Sequence, residues 1–141
     1  MKRILVLFLL ISLQAGAQSS ALSVADSLYT MGNYAAAINE YAKEGNAQAS
    51  LQIARAYHAV GNFDKALAQY EATLKSYPNM EIARFEFGKL LLKTKNYQPA
   101  LEAFNTLIVE NQQNPEYFYY LGRTLENSLK QEEANEAFRK A

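Results

Sequence analysis

His58 is the only histidine in the chain, and a histidine–carboxylate–nucleophile arrangement would need it as the base. Nothing in the sequence nominates the other two members. A zinc site would need His58 with three carboxylates, and no His-x-x-x-His pair exists to begin one. The chain has no cysteine, which rules out disulfide staples, thiolate catalysis, cysteine-ligated metals and a lipid-modified cysteine. Six glycines, at 16, 32, 45, 61, 88 and 122, are scattered over turns and helix crossings instead of gathering in a phosphate loop. Glu132, Glu133 and Glu136 cluster near the C-terminus, a pattern that ordinarily solvates a helix face. The expectation is a protein with no catalytic residues, no metal and no cofactor, whose residues bind a partner instead.

Composition narrows the partner. Fourteen basic residues balance fourteen acidic ones, so the chain lacks the basic excess that neutralises phosphates, and nucleic acid is not expected. Half the residues are hydrophobic and a fifth are charged, in keeping with one folded domain in 141 residues. The first seventeen residues stand apart. Lys2 and Arg3 precede the apolar run Ile4–Leu13, and Gln14-Ala15-Gly16-Ala17 places small residues where a signal peptidase reads. About ten apolar residues cover roughly 15 Å as a helix, half a bilayer core, so the run reads as a cleavable signal (1–17) and not as a membrane span. Cleavage after Ala17 would leave 18–141 with a net charge of −2 and no membrane insertion. The short signal with its Ala-Gln junction resembles those of Gram-negative bacteria, which implies a periplasmic or secreted protein.

The elements that would position a binding site follow from an internal repeat. Ala54, Gly88 and Gly122 lie thirty-four residues apart, as do Ala66, Ala100 and Ala134, and the aromatics Tyr70, Phe104 and Phe138. A shorter copy precedes them, with Gly32-Asn33-Tyr34, Ala37 and Tyr41 mirroring Gly61-Asn62-Phe63, Ala66 and Tyr70. Leu51, Ile53, Ala54 and Tyr57 have helical spacing, and Ala66, Leu67, Tyr70 and Leu74 give a second helix. Gly61-Asn62 breaks the two, Pro78 ends the second helix, Pro99 sits in a first turn, and Pro115 starts a unit. Small residues at a crossing let helices approach to about 8 Å. Ala100 and Gly88 are therefore expected to meet at one crossing.

This spacing, Gly88…Leu91…Ala100…Phe104 in one copy and Ala54…Tyr57…Gly61…Ala66…Tyr70…Pro78 in another, resembles the tetratricopeptide repeat. The resemblance spans units at about 18–46, 47–80, 81–114 and 115–141, the last incomplete. It implies an all-α, right-handed superhelical solenoid of about four helix pairs. Gln131 stands where earlier units have Phe63 or Tyr97, and the first unit is about five residues short.

In that family the first helix of each unit lines a concave groove. Carried onto this sequence, the groove column at one position is Leu22, Leu51, Phe85 and Tyr119, and one turn on it is Asp26, Arg55, Lys89 and Arg123. Further positions give Tyr29, His58, Leu92 and Glu126, then Lys93 and Asn127. An apolar-aromatic column beside a basic one suits a peptide or protein carrying apolar and acidic side chains. Phe85 and Phe87 cannot share one core-facing side, which favours one of them in the groove. The family's two-carboxylate clamp is absent, because Leu22, Asp26, Ile82 and Glu86 occupy its positions.

The function that follows is an exported protein-interaction scaffold. Its alternatives are a structural or self-assembling module and the extracytoplasmic input domain of a longer signalling protein. Leu125, Ala134, Ala137 and Phe138 are expected to leave a partly open apolar edge, covered by a longer chain or by self-association.

Overall fold

A computed structural model describes residues 24–140, and the side chains of all of these except 133, 134 and 136–140. The expected signal, residues 1–17, and Leu22 lie outside the described residues, as do the side chains of Ala134, Ala137 and Phe138. The described residues form helices joined by short turns: α1 (24–30), α2 (Tyr34–Glu44), α3 (Ala47–Ala59), α4 (Phe63–Ser76), α5 (Glu81–Lys93), α6 (Tyr97–Glu110) and α7 (Pro115–Lys140). Two compact units divide the chain between Gln69 and Tyr70, within α4.

In the first unit Ala25, Ala37, Tyr41 and Ala49 form a buried cluster, with Leu28, Tyr29 and Ile53 packed on it. Ala54 and Ala66, at the small positions of the repeat, are also fully buried. Asparagines start the helices: Asn46 Oδ1 accepts from Ala49 N at 2.8 Å, and Asn62 Oδ1 accepts from Lys65 N at 3.2 Å. Each satisfies one of the amide groups that a helix N-terminus leaves unpaired.

In the second unit α6 packs against both α5 and α7. Gly88 is buried where the two helices α5 and α6 approach. A Cβ added to Gly88 would meet the Phe104 ring and the Ala103 methyl of α6 first, which places the small residue at the crossing of the two helices. Ala100 is buried nearby in the same helix.

The turns between paired helices share one construction. Asn33 N donates to Leu28 O, Asn62 N to Tyr57 O and Asn96 N to Leu91 O, at 2.9, 3.0 and 2.8 Å. The residue before each asparagine has positive φ: Gly32 at 78°, Gly61 at 76° and Lys95 at 63°. This is the Schellman stop, in which a left-handed residue lets the chain satisfy its last carbonyls.

The fourth unit departs from the expected helix pair. Leu129 stands thirty-four residues after Lys95, followed by Lys130 and Gln131. All three are good helix formers, and leucine resists the left-handed backbone the turn requires. α7 therefore runs from Pro115 to Lys140 without a break, and three helix pairs are followed by one long helix. A Cβ added to Gly122, the counterpart of Gly88, would meet nothing within 4 Å among the described residues. Leu125 is 46% exposed where its counterpart Leu91 is 5% exposed.

Candidate binding surface on α5 and α7

The period that shapes the helices also duplicates a side-chain pair. Phe85 and Lys89 lie one turn apart on α5, and Tyr119 and Arg123 repeat them on α7. Lys89 Nζ sits 4.4 Å from the Phe85 ring centre and 6.0 Å from that of Tyr120. The Tyr120 ring meets Phe85 edge-on at 5.4 Å and Tyr119 edge-on at 5.2 Å. Arg123 Nη1 donates to Tyr119 Oη at 3.0 Å, and its guanidinium carbon lies 5.8 Å from the ring centre. That hydrogen bond raises the Arg123 pKa further, so the group stays charged. A continuous aromatic surface thus carries two cations, each held against a ring face.

The members are not equally open. Tyr119 is 56% exposed, and Phe118 beside it is also exposed. Phe85 is half-buried, with ring centres at 5.1 Å to Tyr117 and 6.3 Å to Phe104, so it supports the surface from beneath and is not an open anchor. Phe87 is half-buried as well, against Tyr70 at 6.2 Å. α5 therefore carries two half-buried rings, Phe85 towards α7 and Phe87 against Tyr70, and neither belongs to its fully buried set. Lys93 is exposed and Leu92 half-buried one turn beyond Lys89. Glu126 is exposed and takes an ion pair from Lys130 at 2.8 Å, which holds its carboxyl below the usual value. Asn127 Nδ2 donates to the Arg123 carbonyl at 2.7 Å.

In the first unit Leu51 is only 1% exposed and belongs to the core. Ala49 and Ala56 are buried on one side of α3, Leu51 and Ala54 on the opposite side, so the helix is covered twice over. This overturns Leu51 as a groove anchor. Arg55 is half-buried and donates to Gln52 Oε1 at 3.3 Å. His58 is half-buried with Phe63 edge-on at 5.6 Å. Asp26 accepts from the buried Tyr41 hydroxyl at 2.5 Å and is thereby engaged. Burial, aided by that bond, pushes the Tyr41 pKa up. Among the described residues no three of His, Cys, Asp and Glu come together as metal ligands. Nor is any described helix long and apolar enough to cross a membrane.

Sequence reasoning passed over Phe118, Tyr120 and Tyr117. The signal was present: four consecutive aromatics at 117–120 sweep right round a helix, so some must face solvent. Tyr117 is the buried member. Its hydroxyl donates to Glu81 Oε1, and burial followed by that bond leaves its pKa pushed up to about 12.

Comparison with known proteins bears on this architecture. The family model described as Tetratricopeptide repeat matches residues 22–81, 51–115 and 85–141. No curated protein matches the sequence. Among solved structures, MamA (41-end) from Desulfovibrio magneticus RS-1 is similar with TM-score 0.72 at 20% identity, over 87% of this chain and 72% of that one. A tetratricopeptide repeat protein from Parabacteroides merdae gives TM-score 0.72 at 18% identity, over 87% and 50%. The Yersinia enterocolitica type III secretion chaperone SycD, in complex with a peptide of the translocator YopD, gives 0.68 at 16%, over 82% and 95%. These likenesses concern the fold. With the family model matching throughout the repeats, the chain belongs to the tetratricopeptide repeat family.

Proposed function

We propose that this chain is an exported, non-catalytic scaffold that holds a peptide or protein with apolar and acidic side chains. The observation that carries the reading is the run Lys89–Phe85–Tyr120–Tyr119–Arg123, in which two cations are presented on one aromatic surface. Aromatic rings supply contact area at little entropic cost, and arginine offers a fork that matches a carboxylate. SycD bound to a YopD peptide and PcrH bound to a region of PopB are fold relatives that hold peptides, which favours the same role here. The charged start, apolar run and small-x-small end of residues 1–17 support export to the periplasm.

Fluorescence anisotropy with a library of short labelled peptides tests this. Peptides combining an aromatic or aliphatic residue with an aspartate or glutamate should bind, and their amide counterparts should bind at least about tenfold more weakly, about 1.4 kcal/mol. Arg123→Ala and Lys89→Ala should each weaken binding, and added salt should lower affinity for the unmodified chain. Equal affinity for acid and amide peptides would sink the reading.

A further inference from the structure

The two halves of the proposed surface stand on different helices, α5 and α7, both of which pack mainly on α6. Apolar α5–α7 contact is made by rings, Phe85 against Tyr117 and Tyr120. Ring packing is tolerant of sliding, so something directional is needed to fix Lys89 relative to Tyr119 and Arg123. One carboxylate oxygen meets that need. Glu81 Oε1, at the first residue of α5, accepts from Asn111 Nδ2 at 3.2 Å and from Tyr117 Oη. Asn111 caps the C-terminus of α6, and Tyr117 lies in the first turn of α7.

The repeat shows that this tie is not needed to build a helix pair. Ala47 is the counterpart of Glu81 one unit earlier, and Ala49 and Ala83 are the counterparts of Tyr117. Units that carry alanine at both places show that the repeat does not require the pair, so its presence here adds something particular to the α5–α7 contact. Tyr117 is 4% exposed and Glu81 half-buried, so the bond between them is part-buried, and a hydrogen bond to a charged acceptor is stronger than one between neutral groups.

We infer that Glu81 is a positioning residue for the binding surface: through Tyr117 and Asn111 it holds the first turns of α7 to α5 and sets the separation of Lys89 from the Tyr119–Arg123 pair. The inference rests on the binding reading above and assigns the geometry of that same surface. Glu81 touches no ligand itself. It acts through the helix that carries Tyr119.

The chain has no cysteine, so paired spin labels can be placed uniquely in the full chain. Labels at Lys93 and Leu125 report the α5–α7 separation, and labels at Lys93 and Val109 report α5–α6 as a reference. Tyr117→Phe keeps the ring and removes the hydroxyl; Glu81→Ala removes the acceptor; Glu81→Gln keeps an oxygen at the same place. The α5–α7 distance distribution should broaden in the first two variants and stay narrow in Glu81→Gln, with the reference pair unchanged in all three. Unlabelled Tyr117→Phe and Glu81→Ala should bind the best acidic peptide at least threefold more weakly, and Glu81→Gln should recover most of the loss. Unchanged α5–α7 distances with peptide binding intact would overturn the role of Glu81 alone, as would Glu81→Gln behaving like Glu81→Ala. Absence of peptide binding by the unmodified chain would overturn the binding reading and, with it, this role.

Discussion

The Phe104 ring lies against Gly88 so closely that a Cβ added there would stand 2.9 Å from its Cε1 and Cζ, with the Ala103 methyl at 3.4 Å. Phe104 is itself fully buried and stacked on Tyr120 at 5.7 Å, so it has little freedom to retreat. Gly88→Ala should therefore cost about 1–3 kcal/mol by overpacking. Gly122→Ala makes the same change at the counterpart position, where the added Cβ meets nothing within 4 Å among the described residues. There the helix gains propensity, and stability should rise by about 0.5–1 kcal/mol. Urea denaturation of the two variants gives opposite signs if the crossing is as described; a shared sign contradicts it.

Lys95 occupies, with φ 63°, the turn position that glycine fills at Gly32 and Gly61. A side chain in the left-handed region costs about 1–2 kcal/mol that glycine avoids. Lys95→Gly should stabilise the protein by about 1 kcal/mol, and Lys95→Ala, which keeps a Cβ, should change it by less than about 0.5 kcal/mol. Thermal melts distinguish these, and a glycine variant that melts lower than the alanine variant would contradict the turn geometry.

The same comparison shows what was legible in the sequence. The thirty-four-residue spacing of small residues and aromatics, with the shorter copy before it, located the helices and turns from Tyr34 to Glu110, because each spacing reflects a crossing or a stop that only certain residue types allow. It misjudged the fourth unit, where Ala134 and Phe138 keep the period but Leu129-Lys130 replaces a stop that elsewhere is followed by asparagine (Asn33, Asn62, Asn96). It also placed Leu51 in a groove, since a repeat frame gives a residue's direction and not how many sides of its helix are covered. The ties from Tyr41 to Asp26 and from Tyr117 to Glu81 join residues 15 and 36 apart, and no local pattern encodes them.

An unbroken α7 makes its own prediction. Leu129 is a helix-interior residue, 58% exposed, with few contacts to lose. Leu129→Gly should then destabilise the chain by about 1 kcal/mol through lost helix propensity, with reduced helicity by circular dichroism. Were 129 a left-handed turn like Lys95, the same change would stabilise. A higher melting temperature for Leu129→Gly would show that the helix breaks there.

The Tyr117 hydroxyl bonded to Glu81 gives the fold an alkaline limit. Its folded pKa, about 12, lies above the ordinary 10.0, so the protonated form is favoured in the folded state. The resulting stability is fully present below pH 10 and is lost as pH rises toward 12, because the unfolded chain releases the proton first. Tyr41 shifts in the same direction and adds to the decline. Tyr117→Phe should cost about 1–2 kcal/mol at neutral pH, and its stability should fall less steeply than the parent's between pH 10 and 12. Parallel declines in the two proteins would show that Tyr117 is not the titrating group.

Export is the remaining prediction. Lys2 and Arg3, the apolar run Ile4–Leu13 and Ala15-Gly16-Ala17 together should direct cleavage after Ala17, with Gln18 as the expected new N-terminus. Expressed in a Gram-negative host, the protein should appear in the periplasmic fraction with an intact mass matching residues 18–141. Replacing Ala15 and Ala17 with bulky residues should block processing and leave the precursor with the membranes, since the peptidase accepts only small side chains at those two places. Material that retains Met1 in the unmodified protein, or that stays in the cytoplasm, would overturn both the cleavage site and the periplasmic assignment.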